Sequence, residues 1–120
     1  MSYFKISEFD SKDGEEMPFD VKMNVIELID NLNVLRQELG SPLYVNSGYR
    51  SPEHNKSIGG SLNSQHLTGK AADIRSNEYT PKQIKEKIEE LIKVGKMKQG
   101  GLSAYNTFVH YDIRGKKARW

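Results

Sequence analysis

Residues 64–75 read SQHLTGKAADIR. The last five, AADIR (71–75), with Ala71, Ala72 and Ile74 apolar, look like a buried strand. Ahead of it, IGGSLNS (58–64) is a glycine- and serine-rich loop. One imidazole, His66, and one carboxylate, Asp73, therefore stand at the two ends of a loop-to-strand transition. The residues between them, Gly69, Ala71 and Ala72, are small enough for the backbone to turn tightly and pack closely beneath them.

The segments around this strand set the fold class. Upstream, Val21, Val25, Leu28, Leu32, Leu35 and Leu39 recur at alternating steps of four and three, which is one face of a helix. The helix is expected over 20–39, with Asp20 as its cap and Gly40 and Pro42 ending it. LYVNSGYR (43–50) is a β-prone run broken by Gly48. SPEHNKSI (51–58) fits a short helix, with Ser51 as cap and Pro52 at the first helical position. Downstream, Thr80-Pro81-Lys82-Gln83 is a capping box, and Ile84, Ile88, Leu91 and Ile92 give a second amphipathic helix ending near Gly95. GLSAY and FVHYDIR read as two further strands with Asn106-Thr107 turning between them. The first 17 residues have little periodicity. Phe4, Ile6 and Phe9 there would pack on the core as an extended arm, with a turn at Asp13-Gly14. The order predicts an α+β fold, a small, mostly antiparallel sheet with helices packed on it. At 120 residues this is one domain spanning 1–120.

Composition removes several classes. There is no cysteine, so no disulfide framework, thiolate metal site or thiol nucleophile. Any metal must be held by His, Asp or Glu. No stretch of 18 apolar residues is present to span a membrane. The start, MSYFKISEFDSKDGEE, is too acidic for a signal peptide. A net charge of +2 does not predict nucleic-acid binding. The lysines at 82, 85, 87, 93, 96 and 98 read as the solvated face around the second helix, without the interleaved aromatics of a single-strand platform.

Of the three histidines, His54, His66 and His110, the last lies in FVHYDI, where alternate side chains share a face. Val109, Tyr111 and Ile113 can then be core, leaving Phe108, His110 and Asp112 on the working face. A catalytic zinc site takes three protein ligands from nitrogen and oxygen donors and keeps one position open. His66, Asp73 and His110 would supply that set. The spacing alone equally describes a surface-loop histidine and a strand-end aspartate.

The string SxHxxGxAxD, here Ser64 to Asp73, resembles the zinc motif of the D-Ala-D-Ala carboxypeptidase and hedgehog-type peptidase family. SGYRSPEHN (47–55) and FVHYDIRG (108–115) are similar to two further segments of that family, in the same order, as are ISEFDSKDG near the start and ARW at the end. The resemblance implies the family's compact α+β domain, with zinc as cofactor and His66, Asp73 and His110 as its ligands. It implies that Arg50 polarises the scissile carbonyl or holds a substrate carboxylate, and that Ser64 lies near substrate. The partners implied are D-amino-acid-containing peptides of peptidoglycan, with no nucleic acid, cut by a monomer. Arg114, Lys116, Lys117 and Arg119, with the lysines, could add long-range attraction to an anionic wall polymer.

This chain departs from the pattern at one position. Many members carry an acidic general base three residues before the last zinc histidine, where Thr107 stands here; at the next position, where some relatives place another histidine, there is Phe108. Asp112 becomes the candidate base, with orientation of a ligand histidine as its other role; Glu53 and His54 follow. The function expected is zinc-dependent cleavage of peptidoglycan stems or cross-links. A phage endolysin, made in the bacterial host cytoplasm and acting on the wall, suits the chain. The alternative is a catalytically impaired, zinc-stabilised wall-binding or structural module.

Overall fold

The structure, a computed structural model, describes residues 2–120. Its elements run in chain order α1 (Phe19–Leu39), β1 (Tyr44–Ser47), α2 (Pro52–Ser57), β2 (Ala71–Arg75), α3 (Pro81–Lys93), β3 (Gly101–Ala104), β4 (Val109–Asp112) and β5 (Ala118–Arg119). The strands form one sheet in the order β1-β2-β4-β3-β5. All neighbours are antiparallel except β3 and β5. The expected α+β class, with a mostly antiparallel sheet, is what the chain adopts.

The sheet has one apolar face. Ala72 and Ile74 of β2, Val109 and Tyr111 of β4 and Leu102 of β3 join a single core with α1 and α3. From α1 come Val21, Val25, Leu28, Leu32, Leu35 and Leu39, the residues whose spacing marked the helix. From α3 come Ile84, Ile88 and Leu91. Leu28, Leu32 and Leu35 are fully buried, and each is worth roughly 1.5–3 kcal/mol of apolar burial. Alternation along the strands then sends Asp73, His110 and Asp112 to the opposite face. Helices on one side leave the other side for chemistry.

Local signals mostly behave as read. The capping box forms, with Gln83 N donating to Thr80 Oγ1 at 3.2 Å and Thr80 N to Gln83 Oε1 at 2.9 Å. Ser51 caps α2, accepting from His54 N at 3.1 Å. The β3–β4 hairpin closes through Tyr105 N donating to Phe108 O at 2.8 Å.

Two expectations need correction. Asp20 does not cap α1: Pro18 occupies the cap position, without a side-chain hydrogen bond, and Asp20 lies in the first turn, where its charge favours the helix dipole. The N-terminal arm is not simply extended, because Ile6–Phe9 winds into a 3-10 turn that buries Phe9 against Phe4, ring centroids 6.0 Å apart. The run 43–50 behaves as read, giving a short strand, Tyr44–Ser47, that ends just before Gly48. Beyond it the chain turns against the arm, with Tyr49 N donating to Phe9 O at 2.8 Å. β5 has no counterpart in the sequence reading, since two residues carry no period.

Gly48 sits at the point of closest approach between the arm and the sheet. A Cβ there would lie 2.6 Å from the Phe9 Cα and 2.7 Å from its Cβ, contacts that backbone atoms cannot relieve by rotating a side chain. Gly48→Ala is therefore expected to lower unfolding free energy by about 1–3 kcal/mol, the range for overpacking a tight interior, as measured by urea denaturation. A variant as stable as the parent would mean that the arm yields freely.

Candidate metal centre

The register of the central strands builds the site. Asp73 of β2 pairs directly with His110 of β4, and Ser103 of β3 flanks His110 on its other side. Cross-strand partners hold their Cβ atoms about 4.5–5.5 Å apart, so their side chains meet. His66 arrives from a 3-10 turn, Gln65–Thr68, whose end at Gly69 has φ +75°. The notion that Gly69 permits a tight turn thus holds.

The three side chains converge. His66 Nε2 lies 3.3 Å from Asp73 Oδ1, and His110 Nδ1 lies 3.2 Å from the same oxygen. The two imidazole rings stand edge to face at 5.3 Å. All three residues are buried, and their donor atoms lie within 4.8 Å of one another. The remaining nitrogen of each ring is engaged. His66 Nδ1–H donates to Gly48 O at 2.7 Å, and His110 Nε2–H donates to Asp112 Oδ2 at 2.7 Å. In neutral rings those bonds fix the tautomers and leave the lone pairs of His66 Nε2 and His110 Nδ1 facing a carboxylate oxygen, whereas a protonated ring donates to that oxygen. Without a cation this is a repulsive arrangement. Burial disfavours a charge on His110, but its hydrogen bonds to Asp112 and Asp73 outweigh that and raise its pKa above 6.5. Burial likewise opposes ionisation of Asp73, yet the hydrogen bonds from His110 and His66 hold its carboxyl well below the usual range. Two protons or one metal ion would both resolve the conflict.

Zinc fits the donor set. Ligands about 2.0–2.2 Å from a tetrahedral zinc lie roughly 3.3–3.6 Å from one another, close to the two spacings to Asp73 Oδ1. Nitrogen and carboxylate donors, three in number, suit a site that keeps a position open, and both imidazoles are backed by an acceptor in the usual way.

The cluster forms the floor of a cleft of about 600 Å³. Ser61, Asn63, Ser64 and Gln65 give it a polar wall, and Tyr105, Phe108 and Trp120 an aromatic one; Arg50 and Arg114 also line it. Arg50 is set beside the floor, NH2 at 3.4 Å from Asp73 Oδ2, Nε at 3.3 Å from Ser47 Oγ and NH1 at 3.4 Å from Asn55 Oδ1. Ser64 lines the cleft while its Oγ accepts from His66 N at 3.2 Å, so it also holds the turn that carries His66.

Asp112 sits behind His110 rather than in the cleft. It is fully buried. Besides His110, its oxygens accept from Arg114 Nε at 2.9 Å, Arg114 NH2 at 2.7 Å and Gly101 N at 2.8 Å. Burial raises its pKa, but the bonds from His110 and Arg114 prevail and hold it far below 3.8. A carboxylate so occupied is arranged to orient His110. Glu53 and His54 do not line the cleft, and among the described residues Asp73 is the only carboxylate that does. Thr107 lies in the exposed hairpin turn.

The sequence reading missed several lining residues. Asn55 is buried and bridges Arg50 to Ser61 O, to which its Nδ2 donates at 2.9 Å. Arg114 was counted with the loose basic charges, although the alternation that joined His110 to Asp112 continues to 114. Tyr105 and Trp120 carried no local signal. Arg119, also counted as loose, is tied to Glu89 at 2.7 and 2.9 Å and to Gly100 O.

A His/Asp/His cluster on the floor of an open cleft, each imidazole backed by an acceptor, is the arrangement of a zinc metallopeptidase. Comparison with known proteins agrees. The family model for peptidase M15 matches residues 2–112, and the chain belongs to that family. It is 34% identical over 62 residues to the zinc D-Ala-D-Ala carboxypeptidase of Streptomyces albus G. The match takes in 51% of this chain and 24% of that relative, so the chain spans well under half the relative's length.

Asp112→Asn is expected to weaken zinc affinity by about 10–100-fold, the usual effect of removing a partner of a ligand histidine, with activity recovered when zinc is raised to saturation. Isothermal titration of the metal-free protein and an activity titration with zinc check both parts. Activity lost at full zinc occupancy would instead make Asp112 the base.

Proposed function

We propose that the chain is a zinc peptidase acting on the stem peptides or cross-links of peptidoglycan, with His66, Asp73 and His110 as the zinc ligands. The observation that carries this is the convergence of His66 Nε2, Asp73 Oδ1 and His110 Nδ1 at the floor of a cleft with a guanidinium beside them. Zinc, when bound, supplies Lewis acidity that polarises a carbonyl and acidifies water. The chain's own residues do the rest. The Arg50 fork can meet a substrate carboxylate or a developing oxyanion with two parallel hydrogen bonds. Its anchors at Ser47, Asn55 and Asp73 reduce the reorganisation needed at the moment of reaction. Asp112 and the Gly48 carbonyl keep both imidazoles aimed. Ser64 reaches substrate from the polar wall.

The carboxypeptidase named among the relatives supports D-amino-acid peptides as the substrate class, and action on the cell wall follows from that class. An endolysin made in a bacterial host's cytoplasm is the biological setting proposed. Among the described residues no helix is long and apolar enough to cross a membrane. A second reading, a zinc-stabilised wall-binding module, is favoured by one observation, the lack among the described residues of any carboxylate other than Asp73 along the cleft.

Incubation of purified peptidoglycan with the zinc-loaded protein, followed by mass spectrometry of the muropeptides, separates the two. A peptidase releases new amino termini and stops on chelation. A module that sediments with the wall and releases nothing would overturn the proposal. Arg50→Lys is expected to lower turnover by about 10²-fold or more with zinc content unchanged, because a single ammonium cannot reproduce the planar fork. Full turnover in that variant would make Arg50 a structural tie.

A further inference from the structure

Apart from the three clustered residues and the two arginines, Tyr105 carries the one ionisable side chain along the cleft among the described residues. Tyr105 follows β3 at the start of the hairpin turn. Its ring stacks on Phe108, centroids 4.6 Å apart and planes 14° apart, which fixes its orientation. The hydroxyl has a defined partner: Trp120 Nε1 is 2.7 Å from Tyr105 Oη. An indole nitrogen only donates, so Tyr105 Oη accepts there. The phenol's own proton is left over, and no protein acceptor takes it among the described residues. The residue is 42% exposed, on the cleft.

Trp120 is itself held against the metal cluster. Its ring lies 5.0 Å from the His110 ring, the Arg114 guanidinium stands 5.6 Å from its face, and Ser103 Oγ donates to its main-chain oxygen at 2.7 Å. The tryptophan thus links the tyrosine to the edge of the site and uses one of its lone pairs. In the sheet order, Tyr105 lies on the β3 side of the β2–β4 pair and Arg50 on the β1 side. A substrate laid over the cluster would have a guanidinium on one flank and a free phenolic O–H on the other.

We propose that Tyr105 is a catalytic hydrogen-bond donor, giving its O–H to the scissile carbonyl oxygen as that oxygen gains charge, with Trp120 as the positioning residue that fixes the direction of that proton. The proposal rests on the peptidase reading above. No proton is transferred: the phenol donates a hydrogen bond, strongest in the transition state because the acceptor is then most negative. It supplies a polar group on the flank of the cleft where, besides Arg114, the lining is aromatic.

Tyr105→Phe keeps the ring stacked on Phe108 and removes the donor, together with the acceptor of the Trp120 Nε1–H. In the zinc-loaded protein acting on purified muropeptides, kcat is expected to fall by about 10²-fold, the lower end for losing one oxyanion donor, with KM changed less than about threefold and zinc content equal to that of the parent. Affinity for a phosphinate peptide, whose tetrahedral oxygens resemble the transition state, should fall by a similar factor while affinity for the product peptide does not. A kcat within twofold of the parent, or a change confined to KM, overturns the proposal. If the parent protein cleaves no wall peptide, the peptidase reading fails by itself. The phosphinate comparison still decides the role of Tyr105, equal affinity in parent and variant excluding it.

Discussion

One carboxylate oxygen, Asp73 Oδ1, meets two imidazole nitrogens at 3.2 and 3.3 Å, and the rest of the cleft depends on that meeting. The lone pairs of both nitrogens are aimed at an acceptor because their N–H groups are committed elsewhere, to Gly48 O and to Asp112. Such convergence of like-signed groups is unfavourable in a buried place unless a cation is shared among them. The fold supplies the framework that enforces it. The core of α1, α3 and the inner strand face is independent of the cluster, so packing can hold the outer face in a geometry that its own electrostatics would not select.

A second layer of bonds carries this constraint outward. Asp112 connects His110 to Arg114 and to the backbone of β3 at Gly101. Arg114 lies over Trp120, and Trp120 reaches Tyr105. On the opposite side Asp73 leads to Arg50, and Arg50 through Asn55 to the loop at Ser61. The same two strands thus organise an aromatic wall and a polar wall. A buried, fully bonded carboxylate such as Asp112 can strengthen the imidazole it touches, whereas Thr107, on the exposed turn before β4, has no part in the cluster.

What could be read from the sequence follows from which features are local. The α1 stripe and the α3 capping box depend on residues within a turn of one another, and strand alternation alone separates Val109 and Tyr111 from His110 and Asp112. The cluster needed more, since the β2–β4 register brings Asp73 to His110 and the turn at Gln65–Thr68 brings in His66; the family resemblance pointed to a set that spacing left open. Three things were beyond reach. Pro18 displaced Asp20 as cap because the cap position is set by where the chain leaves the arm. In sequence Asn55 is one more polar residue of a short helix, and only the fold sets its amide between Arg50 and Ser61. Tyr105 and Trp120 meet only because β5, two residues long, adds in parallel outside β3, and nothing in a two-residue strand announces itself.

The N-terminal arm shows how a segment without periodicity can matter to the cleft. Phe9 O accepts from Tyr49 N, Ser11 Oγ from Ser51 N at 3.1 Å, and the Asp13 carboxylate from the hydroxyls of both Ser51 and Ser11. These bonds bracket Arg50 on either side along the chain. Asp13 is pulled from 3.8 to about 2 by the Ser51 hydroxyl first and the Ser11 hydroxyl second. A carboxylate whose folded pKa is depressed stabilises the fold fully above its unfolded value and loses that contribution as pH falls toward 2. The tie on the Arg50 segment is therefore intact throughout the neutral range in which a zinc site with neutral imidazoles can form. The arm and the metal cluster meet the same segment from its two sides, the arm through Tyr49 and Ser51, the cluster through the Gly48 carbonyl and the Arg50 guanidinium. The guanidinium is thereby held in place by backbone and hydroxyl contacts that a substrate need not disturb.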